Sequence, residues 1–113
     1  MHELSIALSI IEMATEEAAR HGAQVNALHL KLGKLSGVVK EALLFSWDVA
    51  CAGTALADSR LVIEEVPVVI HCSVCRADQA LLSLQNFCCP VCHTPTSEVV
   101  QGKELEVVAM EIV

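Results

Sequence analysis

Basic and aromatic residues are scarce in this chain, and the scarcity limits what it can do. Lys and Arg number 7 against 14 Asp and Glu, which gives a formal net charge of −7. Nucleic-acid binding relies on clustered Lys and Arg, and the basic residues here are scattered. We therefore expect no nucleic-acid partner. The 113 residues are 54% hydrophobic and only 3% aromatic, which is enough for one modest domain with a small appended module.

Long apolar runs are also missing. Glu3 and Glu12 bracket the first hydrophobic segment, and no basic region precedes it, so it does not have the pattern of a secretory signal. No run approaches the length of a membrane span, and we expect no membrane partner. Together with six cysteines that metal explains better than disulfides do, this pattern predicts a soluble protein of the reducing cytoplasm.

Four of the cysteines form two matched pairs, Cys72-Ser-Val-Cys75 and Cys89-Pro-Val-Cys92, with thirteen residues between the pairs. A Cys-x-x-Cys turn places two thiolates on one tetrahedral cation, and a second turn completes a closed four-sulfur shell. The spacing predicts a structural zinc site with these four ligands. Two disulfides are the alternative, which suits the spacing less well.

The other two cysteines have ordinary explanations. Cys89 to Cys92 already has the regular form of a zinc knuckle, so we interpret the adjoining Cys88 as a spare thiol. Cys51 lies late in a predicted helix and is interpreted as a buried small hydrophobic residue.

Apolar periodicity predicts two helices. The apolar stripe of the first contains Leu4, Ala7, Leu8, Ile11, Ala14 and Ala18, while Glu16 and Arg20 can pair on its polar side before Gly22 ends it. The second is expected to be capped by Ser36 and to end before Gly53. Its apolar face contains Val39, Ala42, Leu43, Ser46, Trp47 and Ala50.

Strands are expected around these helices. Leu28, Leu30 and Leu32 alternate with polar residues up to Gly33, which is typical of a strand with one buried face. Residues 61–70 form a second predicted strand, disturbed by Pro67. Residues 98–113 are expected to form two strands joined by a turn at Gln101-Gly102.

The predicted fold class is α+β: a small mixed sheet packed by two helices, with an inserted zinc-ribbon-like module. Residues 1–70 and 96–113 are assigned to the main domain, and residues 71–95 to the zinc-binding module. The module has too little apolar area to fold unaided, so zinc is expected to supply most of its stability.

Met1-His2-Glu3 is the second informative segment. The Met1 amine, the His2 backbone amide nitrogen and the His2 imidazole can close adjoining chelate rings, and Glu3 offers a further donor. This nitrogen-rich set favours Ni(II) or Cu(II) over zinc. A histidine at position 2 is more often an ordinary solvated residue, because the motif is short.

Taken together, the Met-His-Glu start, the segment from Leu32 to Val38, the acidic Val-rich strand and the two cysteine pairs resemble the HypA family of nickel metallochaperones. The resemblance covers essentially the whole chain. It implies that Met1, His2 and Glu3 bind nickel, with His2 essential, and that Cys72, Cys75, Cys89 and Cys92 hold structural Zn(II). Lys40 stands where relatives often carry an acidic residue near nickel, which leaves Glu41 as the closest carboxylate.

The resemblance also implies the partners. Similar proteins pass nickel, with the HypB-type GTPase, to the large subunit of [NiFe]-hydrogenase during its maturation, and some serve urease maturation proteins. The sequence does not decide between hydrogenase and urease as the final acceptor, or between a monomer and a dimer.

Two other classes of function remain open. One is a zinc-stabilised protein-interaction module without nickel delivery, and the other is an electron carrier with a single iron in the four-cysteine shell, as in rubredoxins. We do not expect an enzyme, because a closed four-cysteine shell leaves no open position for water and no nucleophile and base are arranged together.

Overall fold

The computed structural model describes residues 2–81 and 83–113. The order of elements is α1 (Glu3–Arg20), β1 (Val25–Gly33), α2 (Lys40–Cys51), β2 (Arg60–Val66), β3 (Val69–Cys72), β4 (Ala77–Ala80), β5 (Val99–Gln101) and β6 (Leu105–Ile112). They form two three-stranded sheets, with strand orders β2-β1-β6 and β4-β3-β5. Two helices, a mixed sheet and a separate cysteine-containing unit confirm the predicted fold class.

Helix α1 buries a stripe rich in alanine, which lets it pack closely. Its buried residues are Ala7, Ile10, Ile11, Ala14 and Ala18. The prediction that Leu4 and Leu8 belong to this stripe was wrong, since they are 46% and 52% exposed. Leu8 follows buried Ala7 and is therefore rotated by about 100° away from the buried face.

The end of α1 follows the sequence prediction. Glu16 and Arg20 approach to 3.8 Å across one turn. Gly22 takes a left-handed conformation, with φ of 57°, and the next N–H, that of Ala23, donates to the Ala18 carbonyl. This is the Schellman arrangement, which satisfies the last carbonyls of a helix.

Strand β1 lies at the centre of the mixed sheet, parallel to β2 and antiparallel to β6. Leu28, Leu30 and Leu32 are buried, whereas His29 and Lys31 between them are partly exposed, so the predicted alternation is confirmed. The main core lies between this sheet and the helices, and it includes Leu43, Trp47 and Leu56.

The predicted start of α2 was wrong. Val39, with extended backbone, is the residue that precedes the helix, and no side chain caps it. Ser36 instead accepts a hydrogen bond from the Val38 N–H at 3.2 Å, because a serine hydroxyl can stabilise a turn two residues long as readily as a helix end. Val39 is exposed rather than on the apolar face. Gly53 lies past the helix end, as predicted.

The predicted strand at 61–70 is two strands in different sheets. Strand β2 ends at Val66, and β3 begins at Val69 in the second sheet. Pro67 between them has no N–H to donate to a strand partner. Strand β3 pairs antiparallel with β4 and with β5, and β4 was not predicted. The turn at Gln101-Gly102 between β5 and β6 is confirmed.

The two units have separate buried residues. The second sheet and its loops bury Val68, Ile70, Cys72 and Cys89, apart from the main core. The molecule is elongated, with extents of 53 × 25 × 15 Å. Within residues 2–81 and 83–113, no helix has the length and apolar character that crossing a membrane requires.

Candidate metal centres

The two cysteine pairs lie in turns that share one backbone feature. Cys72 is the last residue of β3 and Cys75 follows in the turn to β4. The residue after each pair, Arg76 or His93, takes a left-handed conformation, with φ of 53° and 63°. L-residues with a side chain adopt this conformation rarely. Because the chain turns sharply at these left-handed residues, the two sulfurs of each pair can point toward the same place.

The four sulfurs converge. The Sγ atoms of Cys72, Cys75, Cys89 and Cys92 all lie within 4.8 Å of one another. Cys72 and Cys92 are 3.4 Å apart, and Cys75 and Cys89 are 3.9 Å apart. A tetrahedral zinc ion with bonds of about 2.3 Å separates its sulfurs by about 3.8 Å. The cluster therefore fits a four-sulfur zinc site, and all six cysteines of the chain are free thiols.

Thr94 lowers the pKa of the Cys92 thiol. Hydrogen bonds from the Thr94 hydroxyl and backbone N–H lower the pKa of Cys92 to about 6, because they stabilise the thiolate. A hydrogen bond to the Cys92 sulfur, together with burial, raises the pKa of Cys75 to about 12. A thiolate at Cys92 suits a metal site, because cysteine binds a cation in its deprotonated form.

Cys88 points away from this cluster. Its thiol donates to the Asn86 side-chain oxygen at 3.1 Å, and its backbone pairs with Pro95. Cys88 and His93 line a small cavity of about 210 Å³. Cys51 is buried in the main core, where burial raises the pKa of its thiol. Both residues lie where the sequence placed them, outside the four-sulfur group.

His2, the first described residue, is open to solvent. Met1 lies outside the described residues. His2 is exposed and extended, and it precedes α1, while its carbonyl accepts the first helical hydrogen bond from the Ile6 N–H. No side-chain hydrogen bond caps the helix there. An imidazole in this position is accessible to a metal ion.

Glu3 connects the amino terminus to the second helix. Its carboxylate accepts a hydrogen bond from the Val39 N–H at 3.4 Å, so the first turns of α1 and α2 lie side by side. Helix amino termini carry partial positive charge, and the Glu3 carboxylate offsets it. Lys40 and Glu41 form the first turn of α2, which brings the two residues singled out in the sequence next to this junction.

Three of the other four histidines contact carboxylates. His29 contacts Glu111 at 2.6 Å, and His71 contacts Asp78 at 2.8 Å across β3 and β4. His21 contacts Glu17, a carboxylate one turn earlier on α1, at 3.3 Å.

An apolar groove opens beside His2. It has a volume of about 520 Å³ and lies between α1 and the β6 side of the mixed sheet. We call it the α1–β6 groove; its lining residues are His2, Ser5, Ile6, Ser9, Ile10, Leu30, Leu105 and Val107. The side chain most available for metal binding at the amino terminus therefore lies on the wall of an apolar surface.

Two functional contacts were missed in the sequence. Thr94 stands two residues after Cys92, and that spacing alone gave a signal, because hydroxyl residues commonly bond to groups two positions away. The contact between Glu3 and Val39 joins residues far apart in the chain and had no local signal.

Comparison with known proteins matches the chain to one family over nearly its whole length. Residues 1–112 match the family model described as "Hydrogenase/urease nickel incorporation, metallochaperone, hypA". A hydrogenase maturation factor HypA from Roseiflexus sp. (strain RS-1) is 51% identical over 112 residues, covering 98% of this chain and 91% of that protein. The factor of the same description from Chloroflexus aurantiacus is 48% identical, covering 98% of both chains.

Solved structures share the fold. The solution structure of the Ni metallochaperone HypA from Helicobacter pylori superimposes with a TM-score of 0.66 at 22% sequence identity, covering 100% of this chain and 98% of that one. A second solution structure, described as HypA protein, gives a TM-score of 0.73 at 23% identity, covering 100% and 97% of the two chains.

Proposed function

Because the chain belongs to the HypA family of nickel metallochaperones, which are not enzymes, we propose that it binds Ni(II) through Met1, His2 and Glu3 and delivers it to a nickel enzyme. The observation that carries this proposal is the exposed, extended His2 at the start of α1. Its imidazole, its backbone amide nitrogen and the Met1 amine supply the nitrogen-rich donor set that favours nickel over zinc.

Glu3 contributes through its position. Its carboxylate bonds to the Val39 N–H, so it adds negative charge beside the terminus while fixing the terminus against α2. In the absence of an acidic residue at position 40, Glu3 and Glu41 are the carboxylates available to stabilise the bound cation. A site with few ligands on a chain terminus can capture an ion and release it again by ligand exchange.

Zinc has a separate, structural role in this proposal. Cys72, Cys75, Cys89 and Cys92 hold Zn(II) in a closed four-sulfur shell, and such a shell supplies folding energy rather than a position for substrate. The wide spacing of the sulfurs in comparison with a disulfide bond supports metal coordination. The free thiols are compatible with the reducing cytoplasm.

Membership of the family supports a proposal for the partners. We propose that a HypB-type GTPase acts with this protein and that the large subunit of [NiFe]-hydrogenase receives the nickel. The family description also includes urease nickel incorporation, and we propose urease maturation proteins as the partners on that second route. Proteins that carry out this transfer must meet the amino terminus of this chain, because the proposed nickel ligands lie there.

The decisive experiment is metal analysis and nickel titration on protein with its native amino terminus. We expect one zinc and one nickel per chain in the wild type. In His2→Ala the nickel affinity falls by at least about 100-fold, while zinc content and melting stay unchanged. His21→Ala removes another exposed imidazole and serves as the matched control, with nickel binding retained.

Three results would reject parts of the proposal. Unchanged nickel binding in His2→Ala would remove His2 from the site. Zinc without any specific nickel uptake would favour an interaction module, and a red protein containing iron would favour an electron carrier. The pH dependence gives a further check: an α-amino group has a reference pKa of about 7.7 to 8.0, so nickel affinity decreases as the pH falls through this range.

A further inference from the structure

Strand β6 forms one edge of the mixed sheet. The strand order is β2-β1-β6, so, within the part of the chain that the structure describes, the side of β6 away from β1 has no strand partner. Val108 and Ile112 on this strand are 50% and 44% exposed. A long edge strand with exposed apolar residues is a template for pairing with another chain, and proteins ordinarily protect such edges.

The α1–β6 groove runs along this edge. Leu105 and Val107 of β6 form one wall, and Ile6 and Ile10 of α1 form the other. Ser5 and Ser9 lie one turn apart on α1 and also line the groove. In an added strand every second side chain points to the same face. A chain that pairs with β6 therefore places alternate side chains in the groove.

A second copy of this chain is a poor occupant. In the antiparallel register that pairs β6 with another β6 over its full length, residue 105 lies opposite residue 112. That register sets Glu106 opposite Glu111 at two places, and like charges directly opposite each other destabilise a sheet. Each copy also carries a net charge of −7, which opposes self-association.

The face of the sheet away from the helices indicates the charge of a better occupant. Glu106 of β6 lies opposite Lys31, which lies opposite Glu64 on its other side, so this row has two negative charges to one positive. Glu111 is exposed nearby. A strand with Lys or Arg on this face and apolar residues on the groove face complements both surfaces.

We propose that β6 and the α1–β6 groove bind an extended segment of a different protein, apolar on one face and basic on the other, by addition of a strand to the sheet. Because His2 lines the groove, the segment lies beside the proposed nickel ligands. That placement rests on the proposed function. The docking itself requires no nickel, so the two proposals fail separately.

The test is a selection from a displayed library of random twelve-residue peptides on immobilised, nickel-free protein. We expect enriched peptides that alternate apolar and basic residues. The strongest one, made synthetically, perturbs backbone amide NMR signals of β6 and of α1 around Ser5 and Ser9. Ser9→Trp places a large side chain in the groove from an exposed position. It is expected to weaken the binding of this peptide by at least about tenfold. Leu8→Trp, exposed on the same helix but outside the groove, is the matched control.

Charge gives the second arm. Glu106→Lys is expected to weaken the binding of the same peptide. Glu65→Lys, an equivalent change on the exposed part of β2, is expected to leave the affinity for the peptide nearly unchanged. Absence of enrichment, equal binding by Ser9→Trp, or signal changes away from β6 would each overturn the proposal. Concentration-dependent dimerisation with protection of the β6 amides would assign the edge to a second copy instead. Nickel titration of Ser9→Trp is expected to match the wild type.

Discussion

The Thr94 hydroxyl oxygen lies 3.1 Å from the Cys92 sulfur of the cluster. Hydrogen bonds from Thr94 lower the pKa of Cys92 from 9.0 to about 6. A group whose folded pKa is lowered contributes stability above its unfolded pKa and loses it as the pH falls through the folded pKa. The contribution of the Cys92 thiolate to the stability of the fold is therefore complete above about pH 9 and is lost as the pH falls toward 6.

Thr94→Val tests this role. Valine keeps the shape and removes the hydroxyl donor, so protons compete better with zinc for the Cys92 sulfur. We expect zinc release on acidification to move to higher pH, measured as zinc freed to a chromogenic chelator along a pH series. Thr94→Ser retains a hydroxyl and restores the wild-type curve. An unchanged curve in Thr94→Val would show that the hydroxyl does not affect the metal site.

Neighbouring cysteines 88 and 89 give a second comparison at this scale. Cys89 belongs to the four-sulfur group, whereas Cys88 bonds to Asn86. We expect Cys72→Ala and Cys89→Ala to lower zinc affinity by at least about 100-fold and Cys88→Ala to leave zinc content at one per chain. Elemental analysis after dialysis measures both. Zinc loss in Cys88→Ala alone would move the fourth ligand to position 88.

At the scale of elements, the end of β1 depends on a close approach between backbones. A Cβ atom on Gly33 would collide with the backbone of Gly102 and Glu104, whereas one on Gly22 meets nothing within 4 Å. The Gly33 N–H also donates to the Glu104 carbonyl at 2.7 Å. The junction between the two sheets therefore has no room for a side chain.

Gly33→Ala and Gly22→Ala distinguish two causes of destabilisation. The first variant introduces a steric collision, and the second introduces an unfavourable backbone conformation. Gly22→Ala is expected to destabilise the fold by about 1 kcal/mol, because only the left-handed backbone conformation opposes the change. Gly33→Ala is expected to lower the free energy of unfolding by about 3 kcal/mol, because the backbone of the contacting residues must shift. Urea unfolding of both variants checks the order. Equal losses would show that the junction can adjust freely.

The elements differ in how far the sequence predicted them. The strand at Leu28 to Leu32 and the end of α1 at Gly22 were predicted because alternation and a glycine are local signals. The start of α2 was misplaced because Ser36 can bond to a turn or to a helix with the same hydroxyl. The exposure of Leu4 and Leu8 depends on what packs against α1, which no local pattern records.

At the scale of the whole molecule, the two units differ in what stabilises them. Among the residues that the structure describes, thirteen buried ones form the main core as one cluster. Of the described residues in the second sheet and its loops, Val68 and Ile70 are buried together with two of the cysteines. Such a small apolar area does not offset the entropy of ordering the segment. We propose that residues 71–95 and the strands flanking them fold only with zinc bound.

Zinc removal by a chelator tests this division. We expect the amide NMR signals of β3, β4 and β5 to collapse to unfolded positions while those of α1, α2 and β1 keep their dispersion. Returning one equivalent of zinc restores the spectrum. If chelation unfolds the main unit as well, the two units form a single cooperative structure. If it changes neither, the second sheet is stable on its own apolar core.

The sequence by itself determined the four-cysteine site, because two Cys-x-x-Cys turns carry their geometry locally and need only meet. It also determined the family, through the Met-His-Glu start and the cysteine pairs. Only the tertiary structure decided that Pro67 separates two sheets, that Glu3 reaches Val39, and that an apolar groove beside His2 follows the outer edge of β6. These features depend on contacts between distant segments, and local periodicity contains no information about them.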